Sequence, residues 1–358
     1  MGTTMGTTDT TVGALRITQV GLGGFGMEWL DVLLGADGVA LAAVVDVSAE
    51  ARTAARERGG GVPAFVVIEE ALAAAPSDAV LIVVPPEMHE PVALAALRAG
   101  RHVLSEKPLA GDLAAAARLV AAVERTGLTF MVSQDYRWSE PVATLRHHLR
   151  SGLIGAPGAI RYTFNKAWDF GGWRATLPNV LLEDMTIHHV DLLRYLIGLE
   201  CEELYARSYR PAWSWFAGNS AAEVLLRFAD GVHATYSGSW VGAGPHTSWT
   251  GTIEVEGARG LVRLHDDALM FYPRGEPNGL GAPGQPLPLV ELPRSRQDEA
   301  LARFVAAVRS GATPETDIRD NIKSFAIVCA ALASARANRP VRPADLIAAA
   351  MRAAGASA

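Results

Sequence analysis

Residues 181–191 carry acidic side chains and a histidine pair at spacings that suit proton transfer. The pattern predicts a helix with Asp184, His188 and Asp191 along one side, because positions i, i+4 and i+7 share a helical face. A carboxylate one turn before an imidazole orients the ring and stabilises its charged form, as a proton-transferring histidine requires. The same residues also fit the wet face of an ordinary amphipathic helix, so the rest of the chain must decide.

Two histidines compete for the proton-transferring position. Asp184 lies four residues before His188 and five before His189, so the i,i+4 geometry favours His188. A shifted helix register would put His189 there instead. Asp191 stays open between contacting a substrate and supporting the helix.

The first half of the chain contains a phosphate-binding pattern. A buried strand is predicted over residues 15–20, and it runs directly into Gly21-Leu22-Gly23-Gly24-Phe25-Gly26 ahead of an apolar helix. Gly21 permits a tight turn, Gly23 lets a pyrophosphate approach the backbone, and Gly26 lets the helix pack on the strand. The phosphates would then lie at the helix N-terminus. This motif is weak evidence alone, but its strand–turn–helix context predicts a dinucleotide site.

An acidic residue completes this pattern. A second predicted strand, residues 41–45, ends at Asp46, twenty residues after Gly26. A carboxylate there accepts hydrogen bonds from ribose hydroxyls and repels a 2′-phosphate, so the sequence predicts NAD as the cofactor in preference to NADP. Arg52 offers a possible contact to a 2′-phosphate, although a solvated position on the next helix is the alternative interpretation.

A lysine ends another predicted strand. Residues 79–84 form a buried strand that stops at Pro85, and residues 101–105 form a short strand followed by Glu106-Lys107-Pro108. Open α/β sheets bind ligands at the carboxyl ends of their strands, which favours a functional Lys107. A surface lysine paired with Glu106 is the alternative. We place a Rossmann domain over residues 14–135.

Length and composition set the remaining limits. A chain of 358 residues suits two domains, and a net charge of −6 with 20% charged residues favours a small-molecule partner over nucleic acid. No apolar run is long enough to span a membrane, and the two cysteines lack metal-ligand spacing, so no metal site is expected. Residues 1–13 predict a disordered tail without secretory-signal character, which favours a cytoplasmic protein.

Residues 136–358 are predicted to form a second α/β domain, to which the family resemblance given below assigns substrate binding and oligomerisation. Alternating patterns and Asp-Gly or Gly turns predict a largely antiparallel sheet. Its strands are expected at 159–165, 203–209, 222–228, 232–240, 250–257 and 260–264. A long Gly- and Pro-rich loop is predicted over 273–293, with helices over 297–310 and 317–338.

Taken together, these motifs resemble the Gfo/Idh/MocA family of sugar and cyclitol oxidoreductases, over nearly the whole chain after the tail. The matching residues are Gly21 to Gly26, the Glu106-Lys107-Pro108 triplet, Pro85 and His89, the Tyr136-Arg137 pair, the Gly172-Trp173-Arg174 triplet and the Asp184, His188, Asp191 helix. The resemblance implies a Rossmann domain followed by an α/β domain whose large, mostly antiparallel sheet covers one side of the active site. It also implies a homodimer or homotetramer.

The resemblance also implies roles for single residues. Lys107, Asp184 and His188 are expected to converge on the substrate as the catalytic set. Matching positions that would join the glycines and Asp46 in holding the cofactor are Gly24, Phe25, Pro85, His89, Glu106 and Lys107. This chain departs from many family members at residues 176–179, which are not glycine-rich, and at Thr186, where glycine is common. These departures resemble a subset of the family and leave the substrate less defined.

Aromatic and basic residues predict the substrate pocket. Trp168 and Trp173 lie in the loop before the catalytic helix and are expected to stack on a sugar ring, whereas the other tryptophans of this region are expected to fill cores and interfaces. Arg137, Lys166 and Arg174 would add positive charge suited to an anionic sugar.

The leading hypothesis is an NAD-dependent dehydrogenase in which His188 takes the proton of a sugar or cyclitol hydroxyl. Lys107 would stabilise the developing oxyanion, and Asp184 would orient His188. The alternative is an NAD-dependent glycoside hydrolase that acts by transient sugar oxidation, elimination and re-reduction. A third hypothesis, a binding or regulatory protein without chemistry, is disfavoured because Lys107, Asp184 and His188 occur together.

Overall fold

The computed structural model describes residues 13–279 and 281–356 of the chain. Apart from Gly13, the predicted tail lies outside these residues. Strands and helices alternate through the first half of the chain, as the sequence predicts. They are β1 (Leu15–Val20), α1 (Gly24–Gly35), β2 (Val39–Val45), α2 (Ala49–Arg58), β3 (Ala64–Phe65), α3 (Ile68–Ala74), β4 (Ala79–Ile82), α4 (Pro86–Arg98), β5 (His102–Ser105), α5 (Leu113–Thr126) and β6 (Phe130–Val132).

The six strands of this half form one parallel sheet in the order β3-β2-β1-β4-β5-β6. That order is the doubly wound arrangement of a Rossmann fold, so the predicted fold of the first half is confirmed. All four side chains of β4 are buried, as expected for a strand covered on both faces. The strand order reverses between β1 and β4, which leaves a crevice at their carboxyl ends.

The second half begins with a 3₁₀ turn, Asp135–Trp138, and the predicted domain boundary between residues 135 and 136 falls within this turn. The elements that follow are α6 (Glu140–Arg150), β7 (Pro157–Asn165), a 3₁₀ turn (Gly172–Thr176), a π-helical turn (Leu181–Met185), α7 (Thr186–Ile197), β8 (Cys201–Tyr209), β9 (Ala221–Phe228), a 3₁₀ turn (Ala229–Gly231), β10 (His233–Ser239), β11 (Thr252–Gly257), β12 (Gly260–His265), β13 (Ala268–Pro273), β14 (Gln285–Leu287), α8 (Arg296–Ser310), α9 (Ile318–Ala337) and α10 (Pro343–Ala356).

The eight strands form a second sheet in the order β14-β13-β12-β11-β7-β10-β9-β8. Its neighbours are antiparallel except for β7 and β10, which run parallel. The expected large, mostly antiparallel sheet is therefore confirmed. The inner face carries alternate buried residues, as β9 shows with Val224, Leu226 and Phe228.

The sequence analysis missed three elements near the C-terminus. β13 lies before the loop predicted over 273–293 and meets that range only at Pro273, whereas the short β14 lies within it and pairs with β13 alone. β14 has only three residues and contains Pro286, and proline is uncommon in strands other than edge strands. The sequence therefore did not indicate a strand there. Helix α10 packs against α5 and α9 and joins the end of the described chain to the first half.

Within the part of the chain that the structure describes, no helix combines the length and the apolar character needed to cross a membrane.

Candidate active site

A cleft of about 1360 Å³ lies at the carboxyl ends of β1, β2, β4 and β5. The first half contributes the glycine turn, Asp46, Pro85, Glu106 and Lys107 to its walls. The second half contributes Arg174, Asp184, His188 and Arg296. The cleft therefore lies where open α/β sheets bind ligands, and both halves of the chain build it.

The glycine turn has the close contacts that its sequence predicts. Gly21 has a φ of +97°, and a Cβ atom there would lie 2.1 Å from the Val83 carbonyl oxygen. A Cβ on Gly26 would lie 2.4 Å from the Gly21 carbonyl oxygen. A Cβ on Gly23 or Gly24 would instead meet no atom within 4 Å, so these two glycines leave open space in the cleft at the start of α1. Phe25, which is exposed, lies beside them.

The N-terminus of α1 can accept an anion. Gly23 precedes the first residue of the helix, and no side chain among the described residues caps its amides. Uncapped amides and the positive end of the helix dipole favour a phosphate group. The turn thus fits the pyrophosphate of a dinucleotide.

Asp46 lies at the end of β2 with both carboxylate oxygens held. The Leu22 amide donates to Oδ2 at 2.7 Å, and the Ser48 amide donates to Oδ1 at 2.8 Å. Arg52 donates from Nη1 to the Asp46 main-chain carbonyl at 2.6 Å. The carboxylate therefore has a fixed position on the cleft wall, and Arg52 is bonded to the main chain beside it.

Pro85 and His89 have different surroundings. Pro85 precedes α4 and lines the cleft. His89 is buried, donates from Nε2 to the Val84 carbonyl at 2.9 Å, and has Nδ1 at 3.3 Å from the Ser105 hydroxyl. Burial lowers the pKa of His89. The structure therefore places His89 behind the wall, where it ties the β4–α4 turn to β5.

Glu106 lines the cleft but its carboxylate is fastened to the scaffold. The Trp29 indole donates to Oε1 at 2.8 Å, and the Lys107 amide donates to Oε2 at 3.1 Å. Burial raises the pKa of Glu106 to about 7. These bonds fix the end of β5 relative to α1, and so they fix the backbone that carries Lys107.

Lys107, Arg174 and Asp184 form one cluster on the cleft wall. Lys107 Nζ lies 3.6 Å from Asp184 Oδ1 and donates to the Asp184 carbonyl at 3.3 Å. Arg174 donates from Nε to Asp184 Oδ2 at 3.0 Å. The Asp184 carboxylate thus holds two cations that come from different halves of the chain.

The helix that carries the acidic and histidine residues begins with a π-helical turn at Leu181–Met185. The Thr186 amide donates to the Leu181 carbonyl, and the Thr186 hydroxyl donates to the same oxygen at 2.9 Å. A turn closed by i→i+5 hydrogen bonds contains more than four residues, so two residues four positions apart are not stacked one above the other there. The α-helical spacing used to place Asp184 beneath His188 therefore does not apply across this turn.

His188 lies at the cleft in a nearly enclosed position, with 6% of its surface exposed. Its ring stacks on Tyr136 with centroids 4.1 Å apart and planes 15° apart. Nδ1 lies 3.9 Å from Asp135 Oδ1 and makes no hydrogen bond within residues 13–279 and 281–356. Burial, with Lys107 nearby, lowers the pKa of His188 well below its usual value. A neutral imidazole of this kind can accept a proton.

The neighbouring His189 points into the core. Its Nε2 donates to the Trp249 carbonyl at 3.4 Å, and its Nδ1 lies 3.0 Å from the Tyr236 hydroxyl. The rings of Tyr162 and Phe164 pack against it. Of the two histidines, only His188 is part of the cleft wall.

Acid should weaken the fold through His189, because burial lowers its pKa from 6.5 to about 3. Between these values the unfolded chain binds a proton that the folded chain does not, so stability falls as pH decreases through this window. One such proton is worth about 1.4 kcal/mol per pH unit, or about 2 kcal/mol between pH 6.5 and 5. We expect the free energy of unfolding to fall between pH 6.5 and 5 by about 2 kcal/mol less in His189→Gln than in the unsubstituted protein. Denaturant unfolding at the two pH values measures this difference.

The exposed His233 on β10 provides the control. His233→Gln should keep the pH dependence of the unsubstituted protein. An unchanged pH dependence in His189→Gln would show that His189 titrates normally in the folded state.

Three predicted substrate contacts, Arg137, Lys166 and Trp168, are not among the described residues that line the cleft. Arg137 is buried and pairs with Asp191 through two bonds of 2.6 and 2.7 Å. Lys166 donates from Nζ to the Thr247 carbonyl at 2.8 Å, and the half-exposed Trp168 packs edge-on to Trp249. The side chain of Trp173, another predicted contact, lies outside the part of the chain that the structure describes. Arg174 is the one member of the basic set on the described wall.

The structure brings two further residues to the cleft that the sequence analysis left out of the site. Asp135 and Arg296 both line it, and Arg296 donates from Nε to Asp135 Oδ2 at 3.1 Å. Arg296 also lies over the Tyr136 ring at 4.3 Å. Asp135 follows β6 and so had the same strand-end signal as Lys107, whereas nothing local marks Arg296.

Comparison with known proteins agrees with this architecture. Residues 15–134 match the model of an oxidoreductase family with an NAD-binding Rossmann fold, and residues 142–263 match the GFO/IDH/MocA C-terminal domain. The chain is 31% identical to a D-apiose dehydrogenase of Paraburkholderia graminis over 93% of its length and 91% of that protein's. It is 26% identical to a myo-inositol 2-dehydrogenase of Thermotoga maritima, over 93% of this chain and all of the other.

Among solved structures, an oxidoreductase from Agrobacterium radiobacter in complex with NAD⁺, L-tartaric acid and magnesium has a TM-score of 0.83 and 24% identity. The match covers 93% of this chain and 99% of that one, and it shows the shared fold. With the two domain matches and the similarity to the D-apiose dehydrogenase, the chain belongs to the Gfo/Idh/MocA family of oxidoreductases, with an NAD-binding Rossmann domain.

Proposed function

We propose that this protein is an NAD-dependent dehydrogenase that oxidises a secondary or hemiacetal hydroxyl of a sugar, sugar derivative or cyclitol. The observation that carries the proposal is the meeting of Lys107 and His188, from different halves of the chain, in the cleft that contains the glycine turn. Relatives named for D-apiose and myo-inositol support a polyol substrate.

The residues present fit a dinucleotide. The open space beside Gly23 and Gly24, the uncapped start of α1 and the fixed Asp46 carboxylate match a pyrophosphate and a ribose in turn. The Asp46 charge would repel a 2′-phosphate, and Arg52 is bonded to a main-chain carbonyl, so we propose NAD over NADP. When bound, NAD supplies the hydride acceptor.

His188 acts as the general base in this proposal. Its lowered pKa keeps the imidazole neutral at pH 7, and Nδ1 is buried against Asp135, which leaves Nε2 for the substrate hydroxyl. The stacked Tyr136 ring limits rotation of the imidazole and excludes water from one of its faces. The proton therefore passes from the hydroxyl to Nε2 as the C–H bond breaks.

Lys107 stabilises the oxygen that loses its proton. The Lys107 ammonium is preorganised by Asp184 and by the fixed Glu106 backbone, so it can face a developing oxyanion without rearrangement. Asp184 acts in this proposal by holding Lys107 and Arg174, the contacts that its carboxylate makes.

The charges in the cleft favour a neutral substrate. Lys107 and Arg174 share the Asp184 carboxylate, and Arg296 is paired with Asp135. Two of the three basic residues expected to attract an anionic sugar, Arg137 and Lys166, are bonded elsewhere. We therefore propose an uncharged polyol in place of a sugar acid.

The test is a substrate screen with the full chain. Aldoses, myo-inositol, sugar acids and aryl glycosides are each incubated with NAD or NADP, and NADH and released aglycone are followed together. We expect NADH in proportion to an oxidised neutral polyol, with NAD preferred. Release of aglycone without net NADH would assign the protein to the redox-assisted glycosidases. Preference for sugar acids would contradict the proposal of an uncharged substrate.

A further inference from the structure

One ion pair at the cleft joins a buried carboxylate, Asp135, to a partly exposed arginine, Arg296. Asp135 begins the 3₁₀ turn that follows β6, Arg296 begins α8, and the two residues are 161 positions apart in the chain. The Asp135 carboxylate lies beside the His188 ring, and Arg296 binds that carboxylate. The pair is therefore placed to act on this histidine.

The geometry around His188 points away from Asp184 and toward Asp135. The Asp184 carboxylate contacts Lys107 and Arg174. His188 Nδ1 instead faces Asp135 Oδ1 at 3.9 Å, and it is a buried polar atom without a hydrogen bond in the described part of the chain. Such an atom is costly unless a partner reaches it. A shift of about 1 Å would close a hydrogen bond of ordinary length.

Arg296 fixes Asp135 from the other side. Its Nε donates to Asp135 Oδ2 at 3.1 Å, which leaves Oδ1 for His188. The guanidinium also covers the face of Tyr136, the ring on which His188 stacks. Arg296, Asp135, Tyr136 and His188 thus form one packed group.

The placement of Arg296 is unfavourable for the helix that begins with it. A cation at a helix N-terminus opposes the helix dipole by about 0.3–1 kcal/mol. Arg296 also has a φ of +50°, in the left-handed region that favours glycine. Backbone strain of this kind persists where surrounding contacts hold it, and it clusters at functional sites. Here the contacts that hold it are Asp135 and Tyr136.

We infer that Asp135, anchored by Arg296, is the positioning residue of His188. This inference rests on the proposed function. Asp135 Oδ1 accepts the Nδ1–H of the imidazole, which fixes the tautomer with a free lone pair on Nε2. After the substrate proton reaches Nε2, the same carboxylate stabilises the imidazolium. In this step the substrate hydroxyl loses a proton and the His188 imidazole gains it, while Asp135 and Arg296 keep their protonation states.

The ionisation of this group is set by opposing effects. Burial raises the pKa of Asp135, while Arg296 and Lys107 oppose the rise. The charged and titratable groups around the His188 ring are Lys107, His189, Arg296, Asp135 and the stacked Tyr136. Without the Asp135 carboxylate, Lys107 and Arg296 still disfavour the imidazolium and the nearby anion is gone, so the acid limb of the kcat–pH profile should move to lower pH.

The test is a double-mutant cycle on kcat, with the substrate identified by the screen. We expect Asp135→Asn to lower kcat by about 10-fold or more, up to the loss caused by His188→Ala. In the His188→Ala background the same substitution should change kcat by less than about 2-fold, because Asp135 acts through His188. Asp135→Asn should also shift the acid limb, and NAD affinity should stay the same.

Two variants of Arg296 and one control variant complete the design. Arg296→Met should show part of the kcat loss of Asp135→Asn, and Arg296→Lys should have a kcat closer to that of the unsubstituted protein. These two variants test the inference even if Asp135→Asn does not fold. Asp78→Asn is the control. It breaks the exposed ion pair between Asp78, just before β4, and Arg16, and it should retain full activity.

Each outcome is decisive. A kcat loss of equal size with and without His188 would assign Asp135 a structural role and overturn the inference, as would an unchanged pH profile or a full-activity Asp135→Asn. Full activity in His188→Ala alone would instead overturn the proposed function.

Discussion

Replacing His188 with alanine is expected to lower kcat by about 10²- to 10⁴-fold, the usual share of positioned acid–base catalysis. His188 is the neutral, nearly enclosed imidazole of the cleft, and its burial and the neighbouring Lys107 keep it unprotonated. The bonds that hold the Asp46 carboxylate come from the Leu22 and Ser48 amides and do not involve this histidine. The affinity for NAD, measured by titration, should therefore change by less than about 2-fold.

His233→Ala is the matched control, since this histidine is exposed at the start of β10. It should retain kcat and NAD affinity. Turnover at the normal rate in His188→Ala would remove the general base from the proposed mechanism, and loss of NAD binding would show that the variant disturbs the fold of the cleft.

Replacing Arg137 with methionine should destabilise the protein by about 3–5 kcal/mol, the usual effect of removing one partner of a buried ion pair. Arg137 and Asp191 are both buried and are joined by two hydrogen bonds, with Ser324 donating to Asp191 Oδ1 at 2.7 Å. The variant would leave the Asp191 charge buried with only the serine hydroxyl. Denaturant unfolding at pH 7 measures the loss.

The double variant Arg137→Met/Asp191→Leu should recover much of that stability, because it removes the uncompensated charge. Arg161→Met is the matched control: Arg161 is half exposed and pairs with Glu254 and Glu256 across the sheet surface. It should cost at most about 1 kcal/mol. A similar small loss in Arg137→Met would contradict the structural role, and a raised KM without loss of stability would return Arg137 to the substrate site.

Local sequence patterns predicted where the first-half residues of the cleft lie in the fold. The strand–glycine–helix segment, Asp46 at the end of β2 and Lys107 after β5 are all set by nearby residues, because parallel strands bring their carboxyl ends to one edge. The cofactor-binding and catalytic roles of these residues remain predictions. Their positions followed from pattern alone.

The second half of the cleft depends on contacts that no local pattern reveals. All eight strands of the second sheet lie between Asp135 and Arg296 in the sequence, so their contact depends on the complete fold of the second half. The positive charge of Arg137 suggested a substrate contact. In the structure this charge is paired in the core with Asp191, which lies 54 residues further along the chain. Residues 181–185 form a π-helical turn, where the Thr186 hydroxyl donates to the Leu181 carbonyl, so spacing rules for an α-helix could not predict which carboxylate faces His188.

The turn at Leu181–Met185 sets the rotation of the helix that follows it. Each residue added to or removed from a helix turns everything beyond it by about 100° about the axis. Deleting one residue there, to restore regular winding, would swing His188 away from the cleft and bring a neighbouring face of α7 toward it. The angular position of the histidine is therefore encoded by the number of residues before it, as much as by its identity.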